Sequence, residues 1–281
     1  MNLFAFTPQK AKKDEKASAF LNRFRTELDI PSPPLGKFPD FFEQMKVVLE
    51  ERPPIFSFAL GVPPLNIMQR LKQEQIAVMG TATSLEEAVL LEKSGVDAVV
   101  AQGIEAGGHR SAFLEHDHEI GLSALIPLLV RALKVPVIAT GGIMNGNGIA
   151  AALALGASAV QLGTAFLACP ESGAPMPYKK ALMQGHGVPT VLTRAFTGMP
   201  GRMLRNRFTQ EMQGAPLASF PTQHLLTKPI RIAAAKANRA DLMALYAGQN
   251  YPLITNFPAS EIIPWLVEET TLAIQRLTRG L

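Results

Sequence analysis

A single cysteine, Cys169, among 281 residues excludes a disulfide framework and an ordinary cysteine–histidine metal cluster. Such scarcity fits a reducing, cytoplasmic compartment, and the cysteine's place after a strand-like run predicts a small buried hydrophobe. Charge is also sparse: Asp, Glu, Lys and Arg make up 18% of the chain and leave a formal net charge of +4. The one dense basic cluster, Lys10, Lys12, Lys13 and Lys16, is interrupted by Asp14 and Glu15. That pattern predicts a solvated surface with no nucleic-acid partner. No basic segment followed by an apolar core opens the chain, so no secretory signal is expected. From Gly148 to Pro170 there is no charged residue, a stretch long enough to cross a bilayer. Gly156 divides it into an alanine-rich helix and a β-branched strand, and the expectation is a soluble chain with no membrane partner.

What is present is a rhythm of buried strands that open into glycine loops. Val96 to Gln102 (VDAVVAQ) is an apolar, β-branched run, followed by Glu105-Ala106-Gly107-Gly108-His109-Arg110-Ser111. Val135 to Thr140 is a second such run and opens into Gly141-Gly142-Ile143. Ala157 to Leu162 is a third and opens into Gly163-Thr164-Ala165-Phe166. Between the last two lies an alanine-rich helix, Asn147 to Leu155, ended by Gly156 as a left-handed C′ residue. In parallel α/β proteins the carboxyl ends of strands carry the chemistry. Glycines there admit a flat or anionic ligand to the backbone, and a histidine can exchange protons near neutral pH. Loops after the last strands of a barrel, with a helix N-terminus, commonly hold a ligand phosphate.

Earlier segments keep the same rhythm. The pattern predicts strands at Leu3 to Phe6, Ile55 to Leu60 and Ile76 to Gly80. It predicts helices at Gln9 to Leu28, Phe41 to Glu50, Ile67 to Glu74, Ser84 to Lys93 and Ser123 to Leu133. Ser84 and Glu87 have the spacing of a capping box. Pro31 to Pro39 is a proline-rich turn region. Residues 173 to 222 read as irregular with short helices, and Asp241 to Ala247 and Glu261 to Thr278 as helices. Trp265 and the Phe41-Phe42 pair read as core. The fold class is therefore α/β, a (β/α)8 TIM-barrel-like core over residues 1–172 with about six strand–helix units against the eight of a closed barrel. Residues 173–281 form an irregular, helical C-terminal extension packed on it.

Six stretches resemble the nitronate monooxygenase (2-nitropropane dioxygenase) family in order along the chain. They are NLF at the start, SFALGVP (57–63), TATSLEEA (81–88), AQGIEAGGHRS (101–111), ATGGIMNGNGIAAALALGASAVQLGT (139–164) and RAFTGMPGRMLRNRF (194–208). The resemblance implies an FMN-dependent barrel enzyme that oxidises alkyl nitronates or nitroalkanes with O2 to carbonyl compounds and nitrite. It implies His109 as catalytic base. Asn2 matches a flavin-contacting asparagine of the family. NLF matches the end of the family's third strand, so two strand–helix units, roughly 60 residues at about 30 per unit, are expected to be absent. An incomplete barrel exposes sheet edges that invite a second copy of the chain, a homo-oligomer.

The expected FMN contacts are Asn2, Gln102, Gly107, Gly108, Gly141, Gly142, Gln161, Leu162, Gly163 and Thr164, with Gln102 open to a purely structural role and the Gly107-Gly108 pair to a plain turn. His116 and His118 beside Asp117 and Glu119 have a spacing that could hold a metal, and a solvated loop is the better reading, so no metal site is expected. Arg110 and Glu105 read as substrate gates or as loop charges. His186 and His224 have no supporting context. Two other readings stand beside the leading one. An FMN-dependent enoyl-acyl-carrier-protein reductase shares the GGH and GGI loops and would consume a nicotinamide cofactor. A truncated, catalytically impaired family member would fail to close its barrel.

Overall fold

The computed structural model describes residues 1–6, 10–32, 34, 36–114 and 117–279. In chain order the first half runs β1 (Asn2–Phe4), α1 (Glu15–Glu27), α2 (Phe41–Glu51), β2 (Ile55–Ala59), α3 (Leu65–Gln73), β3 (Ala77–Ala82), α4 (Leu85–Lys93), β4 (Ala98–Gln102), β5 (Gly108–His109) and α5 (Leu122–Ala132). The second half runs β6 (Val137–Thr140), α6 (Gly146–Ala154), β7 (Ala159–Gln161), α7 (Met176–Gln184), β8 (Thr190–Thr193), β9 (Gly201–Leu204), α8 (Arg207–Glu211), α9 (Thr222–Lys236) and α10 (Ala259–Thr278).

Six strands form one parallel sheet in the order β1-β2-β3-β4-β6-β7. Sequential parallel strands with intervening helices are the barrel pattern. Among the described residues β7 and β1 do not pair, so the sheet is open and these two strands are its edges. Gln102 pairs in register with Thr140, and Thr140 with Gln161. The three glycine loops therefore leave the sheet at one level.

A first core lies between this sheet and its helices, with Phe56, Phe58, Leu91, Val99, Leu125 and Ala139 fully buried. A second gathers Leu182, Phe196, Met203, Phe208, Ile230 and Leu242. The cut expected between residues 172 and 173 separates most members of the two cores, but two helices cross it. Ala17, Leu21 and Phe24 of α1 belong to the second core. In the other direction α10 packs on α6, with Gly146 so close to Glu269 and Thr270 that a Cβ there would come within 2.3 Å.

Several expectations shift at this level. Helix α1 starts at Glu15 rather than Gln9, because the Asp14 carboxylate accepts from Ala17 N at 2.9 Å and caps it there; Gln9 itself lies outside the described residues. Asp241 to Ala247 is not a helix. After a 3-10 turn at Ala240–Leu242 the backbone extends, and Leu204 N donates to Leu245 O and Ala247 N to Arg202 O. Pairing with β9 overrides the local helical propensity. Residues 173 to 222 hold the β8–β9 hairpin as well as α7 and α8, and the 15-residue α9 carries Pro229 in its interior, which disguised it. Phe41 is buried while Phe42 is 45% exposed, and Trp265 is half-buried beside Cys169, which is buried. The uncharged stretch 148–170 is split among α6, β7 and a 3-10 turn, and no described helix is long and apolar enough to cross a membrane.

The capping box at Ser84 is only half formed. Ser84 Oγ accepts from Glu87 N, but the Glu87 carboxylate turns away. It accepts from Thr83 N (2.7 Å), Thr83 Oγ1 (2.8 Å), Phe113 N (2.6 Å) and Leu114 N (3.1 Å), and is 1% exposed. A buried carboxylate thus ties the end of β3 to the chain beyond β5. Removing it leaves three backbone donors unpaired at about 1–3 kcal/mol each. Glu87→Ala is therefore expected to lower stability by about 3 kcal/mol or more in urea unfolding, whereas Glu86→Ala on the exposed face changes it by less than about 0.5 kcal/mol. Equal effects of the two substitutions would contradict this role.

Candidate active site

The site begins where β4 ends. Gln102 is buried, and its amide is committed to the loop that follows: Nε2 donates to His109 O at 3.1 Å, and Oε1 accepts from Ser111 N at 2.9 Å and from Arg110 Nη1 at 3.2 Å. Arg110 is 1% exposed. Its Nη1 also donates to the carbonyls of Gln102 and Gly103, both at 3.0 Å, while Nε and Nη2 grip the two oxygens of Asp117 at 2.8 Å. The bonded guanidinium holds the Asp117 carboxyl below the usual carboxylate range. Arg110 is thus a loop organiser rather than a gate. Glu105 is one too, since its carboxylate accepts from Leu122 N at 2.9 and 3.0 Å and closes the start of α5. Among the described residues no group of three or more His, Cys, Asp or Glu could hold a metal ion, and His116 lies outside them.

These contacts deliver His109 to a short strand that pairs with Gly201 of β9. Its ring meets Phe4 edge-on, with centroids 5.8 Å apart, and Tyr246 at 5.3 Å. Nε2 lies 2.9 Å from Thr197 Oγ1. That hydroxyl accepts from Met199 N and can donate to Met199 O. When its single proton goes to that carbonyl, the hydroxyl receives from the ring, so that Nε2 carries the hydrogen and Nδ1 keeps the lone pair. Burial, aided by the positive charge of Arg231, lowers the His109 pKa to about 4. The imidazole is neutral at neutral pH and able to accept a proton.

A cavity of about 230 Å³ lies at the carboxyl ends of the strands. Its lining includes His109, Gln102 and Gly107 from the loop after β4, and Asn2 and Phe4 from β1. Gly141 and Gly142 enter from the loop after β6, and Gln161, Gly163 and Thr164 from the end of β7. Among the described residues no carboxylate, lysine or arginine lines it. Two expected residues are not in the lining. The Leu162 side chain packs against the apolar clusters around Val99 and around Cys169, and Gly108 has a φ of +88°, which explains the glycine. Three others are partly occupied within the protein. Asn2 Nδ2 donates to Ser57 Oγ at 2.8 Å, Thr164 Oγ1 accepts from Gly248 N at 3.0 Å, and the Gln102 amide holds the His109 loop.

Sequence reading missed the segment Tyr246 to Asn250, which crosses all three loops. Gly107 lies so close to Ala247 and Gly248 that a Cβ would come within 2.5 Å of their backbone, and Asn250 Nδ2 donates to Gly142 O at 2.8 Å. It also missed Thr197 and Phe4. The Gly-Met-Pro-Gly-Arg run at 198–202 was the available signal, since it builds the turn and strand against which the His109 loop pairs.

The expected aid from the N-terminus of α6 is weaker than anticipated. Gly146 N donates to Glu269 Oε2 at 2.8 Å and Gly148 N to Asn145 Oδ1 at 3.0 Å, so the protein caps that end itself. The 3-10 turn at Thr164–Phe166 offers the alternative, because N–H groups that open a turn have no partner inside it. A Cβ on Gly163 would meet nothing within 4 Å, and its backbone has an ordinary negative φ. There is thus open space beside Gly163 where this turn begins.

The family profile described as nitronate monooxygenase matches residues 1–269. A probable nitronate monooxygenase from Staphylococcus aureus is 36% identical over 98% of this chain and 80% of its own length. The solved structure of nitroalkane oxidase from Streptomyces ansochromogenes is 40% identical, covering 98% of this chain and 81% of that one, with a TM-score of 0.90. FabK from Thermotoga maritima is 29% identical over 96% of this chain and 86% of its own, with a TM-score of 0.73. The chain belongs to the nitronate monooxygenase family of enzymes.

Proposed function

We propose that the cavity binds FMN and that the protein oxidises alkyl nitronates and nitroalkanes with O2 to carbonyl compounds and nitrite. The observation that carries this reading is the meeting of three glycine loops around one carboxylate-free cavity that also contains a neutral histidine. The residues fit the cofactor. Gly163 and Thr164 supply turn-opening N–H groups beside open space at Gly163, and Gly141 and Gly142, with positive φ, bring bare backbone to the cavity. The enclosed 230 Å³ falls below the range of about 300–1,000 Å³ typical for ligand pockets. Gln161 and Asn2, exposed lining residues on the two edge strands, would add to the hold on the cofactor. When bound, FMN supplies the redox chemistry.

The chain's own task is proton transfer and positioning. His109, neutral through burial, takes the α-proton of a neutral nitroalkane at Nδ1, while Thr197 holds Nε2–H and fixes the ring. Gln102 and Arg110 keep the His109 backbone in place. Phe4 and Tyr246 shield the ring from water. A nitronate arrives already deprotonated and does not need the base.

Visible absorption of the protein mixed with FMN tests the cofactor. A flavin band that sediments with the protein is expected, and a colourless protein after FMN addition would refute the reading. Gly163→Glu places a carboxylate in the space assigned to the phosphate. It should lower FMN affinity at least about tenfold with an unchanged melting temperature, while Gly163→Ala is tolerated. Unchanged affinity in the glutamate variant would remove the phosphate assignment.

Nitrite release tests the base. His109→Ala should cut turnover of neutral nitroalkane by about 10²–10⁴-fold with flavin retained, and spare the pre-ionised nitronate. Because the folded pKa is depressed, the acid limb of kcat/KM for nitroalkane should fall near pH 4 rather than near the ordinary histidine value. A limb near 6.5, or equal losses on both substrates, would contradict the assignment. Turnover that requires a nicotinamide would instead support the reductase reading.

A further inference from the structure

Behind the wall that holds His109 lies a second cavity of about 350 Å³ that shares no lining residue with the first. Tyr246 is the partition, its ring tilted against His109 on one side and lining the second cavity on the other. Two basic residues of α9, Lys228 and Arg231, also line it together with His224, at the i, i+4 and i+7 spacing that puts all three on one helix face. The remaining lining is mostly apolar, including Ile232, Met243 and Ala244.

The Arg231 guanidinium is poorly satisfied. Nη2 reaches only His224 O at 3.3 Å and His224 Nδ1 at 3.4 Å, both long, and Nε is buried with no hydrogen-bond partner. Among the described residues neither Arg231 nor Lys228 has a carboxylate within ion-pair distance. Burial opposes the arginine's charge, and the ionisable group that acts to support it is the Tyr246 phenol. A largely desolvated cation with no counter-ion is costly unless a partner completes it.

We propose that this cavity is a binding site for an amphiphilic monoanion, an aliphatic carboxylate held head-first by Arg231 and Lys228. One guanidinium and one nearby ammonium match a single carboxylate. The chain of the ligand would lie on Ile232, Met243 and Ala244, where Ile232 is 49% exposed. Ligand and nitroalkane would bind together, because the two cavities are separate. The site itself does not depend on the flavin reading.

A consequence for turnover does rest on that reading. The groups packed around Arg231 are His224 and Lys228 on its own helix, Tyr178 of α7, Tyr246 and, beyond it, His109. The positive charge of Arg231 disfavours protonation of His109, and an anion bound to it relieves that effect. The acid limb for nitroalkane should therefore move upward in pH when the site is filled.

Isothermal titration with decanoate at low ionic strength, on the protein both without and with FMN, tests the site. Saturable one-to-one binding is expected, weakened at least about tenfold in Arg231→Gln and in Lys228→Gln, with decanol giving no comparable binding. Lys228 is exposed, so its substitution keeps the test valid if the arginine variant fails to fold. Absence of saturable decanoate binding, wild-type affinity in Lys228→Gln, or equal binding of decanol would overturn the proposal. Since the titration without flavin does not involve FMN, its failure is distinct from failure of the cofactor reading.

Discussion

The Arg110 guanidinium ties the end of β4 to the loop that returns as β5, and the placement of His109 in the site follows from that tie. It uses five hydrogen bonds to join two backbone carbonyls, the Gln102 amide and the Asp117 carboxylate. Buried ion pairs add little against a well-packed apolar alternative, but losing one partner costs on the order of 3–5 kcal/mol. The arrangement is therefore specific rather than merely stabilising. With Arg110 in place, Gln102 is free to hold the His109 carbonyl, and the imidazole is fixed between Phe4, Tyr246 and Thr197.

That enclosure has a chemical result. The ring is desolvated, a cation lies behind it and among the described residues no carboxylate lines its cavity, so the imidazolium is disfavoured. A neutral base held beside a glycine-lined cavity suits proton abstraction from a carbon acid. The same lack of negative charge makes the cavity hospitable to an anionic phosphate. Electrostatics thus serve ligand binding and proton transfer through one omission.

The parallel sheet, its helices and the three glycine loops were legible in the sequence because each obeys a local rule: β-branched runs, N-caps and glycine stops. The level at which the loops converge was legible too, from strand ends at Gln102, Thr140 and Gln161. Less accessible were features set by distant pairing. The extended course of Leu245 to Ala247 depends on β9, some forty residues earlier, and no local pattern reveals it. Gly107 looked like a ligand contact, yet the close approach of Gly248 is enough to demand a glycine. Glu87 read as half of a capping box, and only the fold shows it reaching Phe113. His224 lacked context until α9 formed and set it beside Arg231.

The central claim is that FMN and a neutral His109 share one cavity. Nitrogen-15 NMR of histidine-labelled protein at pH 6 examines both parts at once. The account predicts a His109 signal of the neutral Nε2–H tautomer that shifts on FMN addition and saturates at one equivalent. A protonated ring at that pH, or a signal indifferent to FMN, would contradict it.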